Sequence, residues 1–121
     1  EALLSDVSQA GCDVSNVMAW LGPCIGPDAF EVGADVWHAF DDGSAAIRSM
    51  FEARSNGKFK ANLAGLARLR LQALGLNSIH GNDGAPVWCT ASQPQVFFSH
   101  RRDSRTLGQS GRMAACIWLS A

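Results

Sequence analysis

No stretch of this chain is apolar for long enough to cross a bilayer: the longest uninterrupted run falls far below the ~18 residues a spanning helix needs. The opening residues do not read as a signal peptide, so the expectation is a soluble, cytoplasmic protein with no membrane partner. An excess of either charge is lacking too. Ten Lys and Arg against eleven Asp and Glu leave a formal net charge of −1, which excludes a nucleic-acid-binding tail or an acidic disordered segment, so electrostatic work must come from local clustering. Cys12, Cys24, Cys89 and Cys116 form no Cys-x-x-Cys pair and no finger-like Cys/His pair. They read as reduced, mostly buried thiols rather than as a zinc ribbon or a disulfide scaffold. Internal repeats, low-complexity tracts and a convincing domain boundary are all missing from the 121 residues, and so is a methionine at the first position.

What is present begins with a helical stripe, Leu3, Leu4, Val7 and Ala10, which Gly11 is placed to end. No capping residue precedes that stripe, and the chain therefore reads as a piece of a longer protein. Val17 to Leu21 suits a short buried strand. The Gly22-Pro23-Cys24-Ile25-Gly26-Pro27 loop that follows blocks both a continuing strand and an immediate helix. Asp28, three residues before Glu31, predicts a capped helix using Val32, Val36 and Phe40. After an Asp41-Asp42-Gly43 turn, Ile47, Met50 and Phe51 suggest a short helix broken at Ser55-Asn56-Gly57. The clearest helix has Asn62 as its cap, Leu63, Leu66, Ala67, Leu71 and Leu74 on one face, Arg68 pointing elsewhere and Gly75 as its stop.

Leu76 to His80, Val87 to Thr90, Val96 to Ser99 and Met113 to Leu119 are further strand candidates, with a turn-rich loop from Gly81 to Pro86. Helices interspersed with short strands, without a regular βαβ rhythm, predict a mixed α+β or layered α/β fold.

One segment concentrates positive charge. Arg101, Arg102, Arg105 and Arg112 lie within twelve residues, offset by Asp103, in a stretch rich in Gly, Ser and Thr between two apolar runs. Placed between strands, such a loop could offer guanidinium forks and backbone N–H groups to a phosphate or carboxylate. The other reading is a solvated hairpin with Arg101 or Arg102 paired to Asp103 or to a carboxylate elsewhere.

The segment Trp20-Leu21-Gly22-Pro23-Cys24-Ile25-Gly26-Pro27 with Phe30-Glu31-Val32-Gly33 resembles a signature of the YfiH family, also called the laccase-domain or polyphenol oxidase family. Leu66-Ala67-Arg68 with Leu71 and Leu74-Gly75, then Cys89-Thr90, Phe97 to Asp103 and Gly111-Arg112-Met113-Ala114 follow that family's C-terminal half in order. The resemblance implies a layered YfiH-like fold, with residues 1–121 forming the C-terminal half of one laccase domain and partnering an N-terminal half. It also implies a zinc-dependent purine nucleoside phosphorylase acting on adenosine, inosine and methylthioadenosine, with adenosine deamination. Older descriptions of the family imply a copper-dependent polyphenol oxidase, and a bacterial member implies editing of peptidoglycan precursors. Its metal site uses two histidines and a cysteine in motifs upstream of this sequence; Cys24, Cys89, His38, His80 and His100 do not occupy them. On that reading Arg101 or Arg102 grips phosphate, Phe97 or Phe98 stacks on a base, Arg112 is a further substrate-binding candidate, and this chain alone is inactive. The seven residues between Asp103 and Gly111 lengthen the arginine loop relative to the family pattern. Two alternatives come from other classes, a non-enzymatic anion- or RNA-binding module and a purely structural half-domain with an exposed apolar surface.

Overall fold

A leucine helix joins two small sheets of opposite pairing sense. The computed structural model describes residues 2–11 and 13–117. After helix α1 (Ala2–Gln9), strand β1 (Met18–Leu21) pairs in parallel with β5 (Ser78–Gly81), in register from Met18 opposite Ser78 to Leu21 opposite Gly81. The second sheet is antiparallel in the order β2 (Glu31–Val32), β4 (Phe59–Ala61), β3 (Phe51–Ala53). Helices α2 (Ala34–Phe40) and α3 (Ala45–Arg48) separate β2 from β3, and α4 (Leu63–Ala73) crosses from β4 to β5. The fold is mixed α+β with both parallel and antiparallel pairing.

α4 forms where the sequence places it, and its ends show why. Asn62 Oδ1 accepts the Gly65 N–H at 2.9 Å, satisfying one of the unpaired donors of the first turn. At the other end Gly75 turns into the left-handed region at φ +89°. There Gly75 N–H donates to the Gln72 carbonyl at 2.9 Å and Leu76 N–H to that of Leu71 at 3.1 Å. That is a Schellman cap, and it drops Leu76 into the interior with 1% of its surface exposed. Leu76 joins Val32, Ala61, Ala64, Leu66 and Cys89 in the buried core. A fully buried leucine contributes about 1.5–3 kcal/mol by leaving water.

An aromatic group holds α2 against the antiparallel sheet. Trp37 stacks on Phe59 at 5.4 Å and meets Phe51 edge-on at 5.0 Å, while Phe40 lies 6.3 Å from Phe51. Such pairs contribute ~0.5–1.5 kcal/mol each beyond their buried area. Phe51 reaches this group from β3, not from a helix as its neighbours Ile47 and Met50 suggested.

Four further expectations are corrected. Val32 is a strand residue, because β2 pairs with β4; α2 starts at Ala34 with Gly33 as its N-cap, while Asp28 lies exposed and ion-paired to Lys60 at 3.3 Å. Residues 87–90 are no strand: Pro86–Trp88 is a 3-10 turn, and only Cys89 bridges to Cys24. Val96 to Ser99 is irregular and leads into helix α5 (His100–Leu107), which replaces the arginine-bearing loop. Residues 113–117 carry no regular structure, and Trp118 and Leu119 lie outside the described residues. Among the described residues, no helix is long and apolar enough to cross a membrane.

Candidate functional site

α5 exists because its ends are capped. Ser99 N–H donates to Asp103 Oδ2 at 2.8 Å, so the Asp103 carboxylate closes the first turn, while Asp103 N–H makes the first intrahelical bond to the Ser99 carbonyl at 2.7 Å. Gly108 ends the helix in the left-handed region.

The helix sorts its arginines by role. Arg102 turns inward: Nη1 donates to the Thr90 carbonyl at 2.8 Å and the Ala91 carbonyl at 3.3 Å, and Nη2 to that of Phe97 at 2.9 Å. Its Nε and Nη2 also grip Asp103 at 2.6 and 3.2 Å, so the sequence's suggestion of an arginine paired with Asp103 is realised, within a helix instead of a hairpin. The Arg102 fork is committed to the fold. Arg101 turns outward, where Nη1 donates to the Glu31 carbonyl at 3.0 Å and the guanidinium lies 5.6 Å from the centre of the Phe30 ring. Arg105, one turn further on the same face, is exposed and makes no ion pair among the described residues.

Phe98 is 54% exposed and packs against Gly111, where a Cβ would stand 2.7 Å from the ring. With Asp103, Leu107 and Ser110 it lines an open hollow of about 330 Å³. Arg112 follows Gly111 at the surface and donates from Nη1 to the Ser110 carbonyl at 3.3 Å. The Phe98–Gly111 contact therefore brings the segment carrying Arg112 back to the start of α5. Arg101 and Arg102 share the helix but face opposite ways.

The Arg102 guanidinium, and after it the Ser99 N–H, hold the Asp103 carboxyl below its ordinary value of 3.8. A carboxyl depressed in the folded state contributes stability that is fully present above its unfolded pKa and is lost as pH falls through the folded value. Asp103→Asn is therefore expected to destabilise the protein at neutral pH and to flatten its loss of stability below about pH 4. Urea midpoints measured between pH 7 and pH 2.5 check this; parallel wild-type and variant curves would exclude Asp103 from the acid limb.

Sequence reasoning passed over two polar residues that shape the neighbouring Gly-Pro loop. Arg68 does not point into solvent: Nε, Nη1 and Nη2 donate to the carbonyls of Asn82, Ile79 and Gly81 at 3.0, 3.1 and 3.1 Å, gathering the end of β5. Asn82, 2% exposed, donates from Nδ2 to the Gly22 carbonyl at 3.0 Å and to Cys24 Sγ at 3.3 Å, and accepts the Gly84 N–H at 2.9 Å. An Asn inside a turn signal reads as a turn residue, and nothing local announces its partner sixty positions earlier.

The cysteines divide as well. Cys89 is buried, Cys24 is half-buried, Cys116 is exposed, and Cys12 lies outside the described residues. His38, His80 and His100 are all exposed, and His80 Nε2 is 2.9 Å from Ser78 Oγ. Among the described residues no three His, Cys, Asp or Glu side chains are grouped to hold a metal ion, so these residues do not fit a zinc or copper site.

A family model described as multi-copper polyphenol oxidoreductase laccase matches residues 1–120. The chain belongs to this laccase family. Among curated relatives of the laccase-family chain is a purine nucleoside phosphorylase of Pseudomonas aeruginosa, 42% identical over 118 residues that make up 97% of this chain and 46% of that protein. Purine nucleoside phosphorylase YfiH of Shigella flexneri is 45% identical over 104 residues, 86% of this chain and 39% of its own. The chain thus spans less than half the length of these relatives. A crystal structure of a Neisseria meningitidis protein superposes with a TM-score of 0.71 at 40% identity, covering 84% of this chain and 40% of that one. A Bacillus licheniformis protein with a TM-score of 0.72 and 24% identity shares the fold.

Proposed function

We propose that the protein carrying this chain is a purine nucleoside phosphorylase, and that α5 presents Arg101 to the attacking phosphate. The observation that carries the reading is the name shared by relatives 42% and 45% identical over most of the chain. The geometry of α5 supports the role of Arg101. Arg101 and Arg105 stand four residues apart on an exposed face, a like-charge spacing that costs a helix ~0.2–0.5 kcal/mol and that a bound anion would relieve.

In phosphorolysis a phosphate oxygen forms a bond to the sugar's anomeric carbon as the carbon–nitrogen bond to the purine breaks, and the purine leaves with the bonding pair and takes a proton. A guanidinium can hold the phosphate through charge-assisted hydrogen bonds and fix its line of attack. Arg102 acts here as a positioning residue, because its fork sets the pitch of α5 against the Thr90–Ala91 turn. Arg112 is assigned to the same anion, and the exposed face of Phe98 to the purine. The zinc that the family resemblance implies, or copper in its place, has no fitting site among the described residues, and no step is assigned to it.

The N-terminal half of the same domain is the partner this reading requires, and two bare surfaces support it. Parallel strands are normally covered on both faces, yet Met18 and Trp20 on β1 are 68% and 54% exposed. Leu21, Ala67, Leu71 and Leu74, together with Arg70, also line an open, mostly apolar hollow of about 500 Å³.

Arg101→Ala in the full-length protein is expected to raise the KM for phosphate by about 10- to 100-fold, the loss of one or two charge-assisted hydrogen bonds, with the KM for inosine nearly unchanged. Steady-state release of base from inosine at varied phosphate measures it. Unaltered phosphate dependence removes Arg101 from the site. Release that needs no phosphate, or oxygen-dependent oxidation of phenols in place of base release, overturns the phosphorylase reading itself. Binding of RNA that weakens steeply with salt, without turnover, would favour the anion-binding module instead.

A further inference from the structure

Two cysteines that the proposed chemistry does not use are aligned by their backbones at the base of the Gly-Pro loop. Cys24 and Cys89 are partners in an isolated parallel bridge, closed by the Thr90 N–H on the Cys24 carbonyl at 2.9 Å. Aligned residues on neighbouring strands stand about 4.8 Å apart with their Cβ atoms on the same side, inside the Cα separation of roughly 4.4–6.8 Å that a disulfide spans. Both are free thiols, and each sulfur is individually addressed. Gly26 N–H donates to Cys89 Sγ at 3.1 Å, and Asn82 Nδ2 to Cys24 Sγ at 3.3 Å. Gly26 makes that approach possible, since a Cβ there would lie 2.9 Å from Cys89 Cβ and 3.0 Å from its sulfur.

We propose that Cys24 and Cys89 form a peroxide-oxidisable dithiol, closing a disulfide that ties the Gly22–Pro27 loop to the turn gripped by Arg102. Their environments assign the order of events. Burial pushes the Cys89 thiol up, but hydrogen bonds from the Ser92 hydroxyl and from the N–H groups of Gly26, Ser92 and Ala91 outweigh it and bring the thiol below its ordinary value. Burial raises the Cys24 thiol, Asn82 opposes this in part, and the neighbouring Cys89 adds to the rise. Cys89 is thus the sulfur favoured as thiolate, and Cys24 the one kept protonated.

The Cys89 thiolate attacks one peroxide oxygen. A sulfur–oxygen bond forms, the oxygen–oxygen bond breaks, and the departing alkoxide or hydroxide takes a proton from solvent. The Cys24 sulfur then attacks the Cys89 sulfenic acid, the sulfur–sulfur bond forms, and the hydroxyl leaves as water with the Cys24 proton. In sum two thiols lose two electrons to one hydroperoxide, which is reduced to an alcohol, or water, plus water. The inference does not rest on the phosphorylase reading.

The full-length protein, treated with hydrogen peroxide, quenched, alkylated and digested without reduction, is expected to yield one cross-linked peptide pair containing Cys24 and Cys89, lighter by two hydrogens than its separate peptides and released by dithiothreitol. In Cys24→Ser the pair disappears and Cys89 proceeds to sulfinic acid; in the wild type the oxidised form melts higher than the reduced. A wild-type Cys89 that stays reduced, goes to sulfinic acid without cross-linking, or pairs with Cys12 or Cys116 instead would overturn the proposal. Because the wild-type peptide map alone decides, a folding defect in the variant does not blur the result.

Discussion

Arg102→Ala is expected to cost on the order of 3 kcal/mol, lowering the thermal midpoint by roughly 10 °C, while Arg101→Ala, its neighbour in sequence, stays within about 1 kcal/mol of wild type. The asymmetry comes from where the two forks point. The Arg102 side chain is only 25% exposed and satisfies the carbonyls of Thr90, Ala91 and Phe97 together with both oxygens of Asp103. Alanine leaves part-buried acceptors without donors and a carboxylate without its cation, which is the expensive way to break such a network. Arg102→Lys recovers little, because one ammonium cannot span acceptors that a planar five-donor fork reaches at once. Arg101 forfeits one carbonyl bond and a 5.6 Å approach to Phe30, both at the surface. Urea unfolding of the two variants side by side measures the contrast. An Arg102→Ala protein that melts like wild type yet fails to bind phosphate would reverse the two assignments and make Arg102 the ligand-binding residue.

Elements whose signals are local were legible in the sequence. Asn62, the leucine spacing and Gly75 lie within fourteen positions, and α4 has the cap, stripe and stop they announce. β1 was recognisable as a strand, though Met18 and Trp20 are exposed where burial was expected, and β5 falls at Ser78–Gly81 within reach of the expected 76–80 strand. Their pairing was not legible, since a strand does not carry the address of a partner some sixty residues away. α5 failed for the opposite reason: it is polar almost throughout, so it has no apolar stripe to betray its period, and its charges suggested an exposed loop. Its one local cue was Gly108, placed to close the helix, because Ser99 and Asp103 stand four apart instead of at the three-residue capping-box spacing and the Ser99 side chain makes no cap bond. The inward turn of Arg102 and Arg68 had no signal at all, because both bind backbone carbonyls, which every sequence supplies equally. The ordered motifs from Trp20 to Ala114 identified the family, and they did so without distinguishing arginines that hold the fold from arginines free to hold a ligand.

Gly81→Ala is expected to be as damaging as Arg102→Ala, by about 3 kcal/mol or more, though it removes no contact. Gly81 sits at φ +79°, where an L side chain costs about 1–2 kcal/mol, and its new Cβ would land on the Leu21 carbonyl oxygen, well inside van der Waals contact, and 2.9 Å from Trp20 Nε1. Leu21 is the register partner of Gly81, and its carbonyl also accepts the Asn82 N–H at 2.8 Å, so the oxygen cannot retreat without opening the end of the parallel pair. Opening that end would carry Asn82 away from Gly22 and Cys24, and Arg68 away from the carbonyls it gathers. Gly57→Ala separates the two contributions: at φ +73° with no atom within 4 Å of its Cβ, it bears the conformational cost alone. Urea midpoints should therefore fall for Gly81→Ala by at least twice the fall for Gly57→Ala. Tryptophan fluorescence should shift only in the former, where Trp20 loses its edge-on packing 6.1 Å from Trp88. Equal losses in the two variants would mean that β1 and β5 yield at this point, and that the Gly-Pro loop draws its shape from elsewhere than the strand ends beneath it.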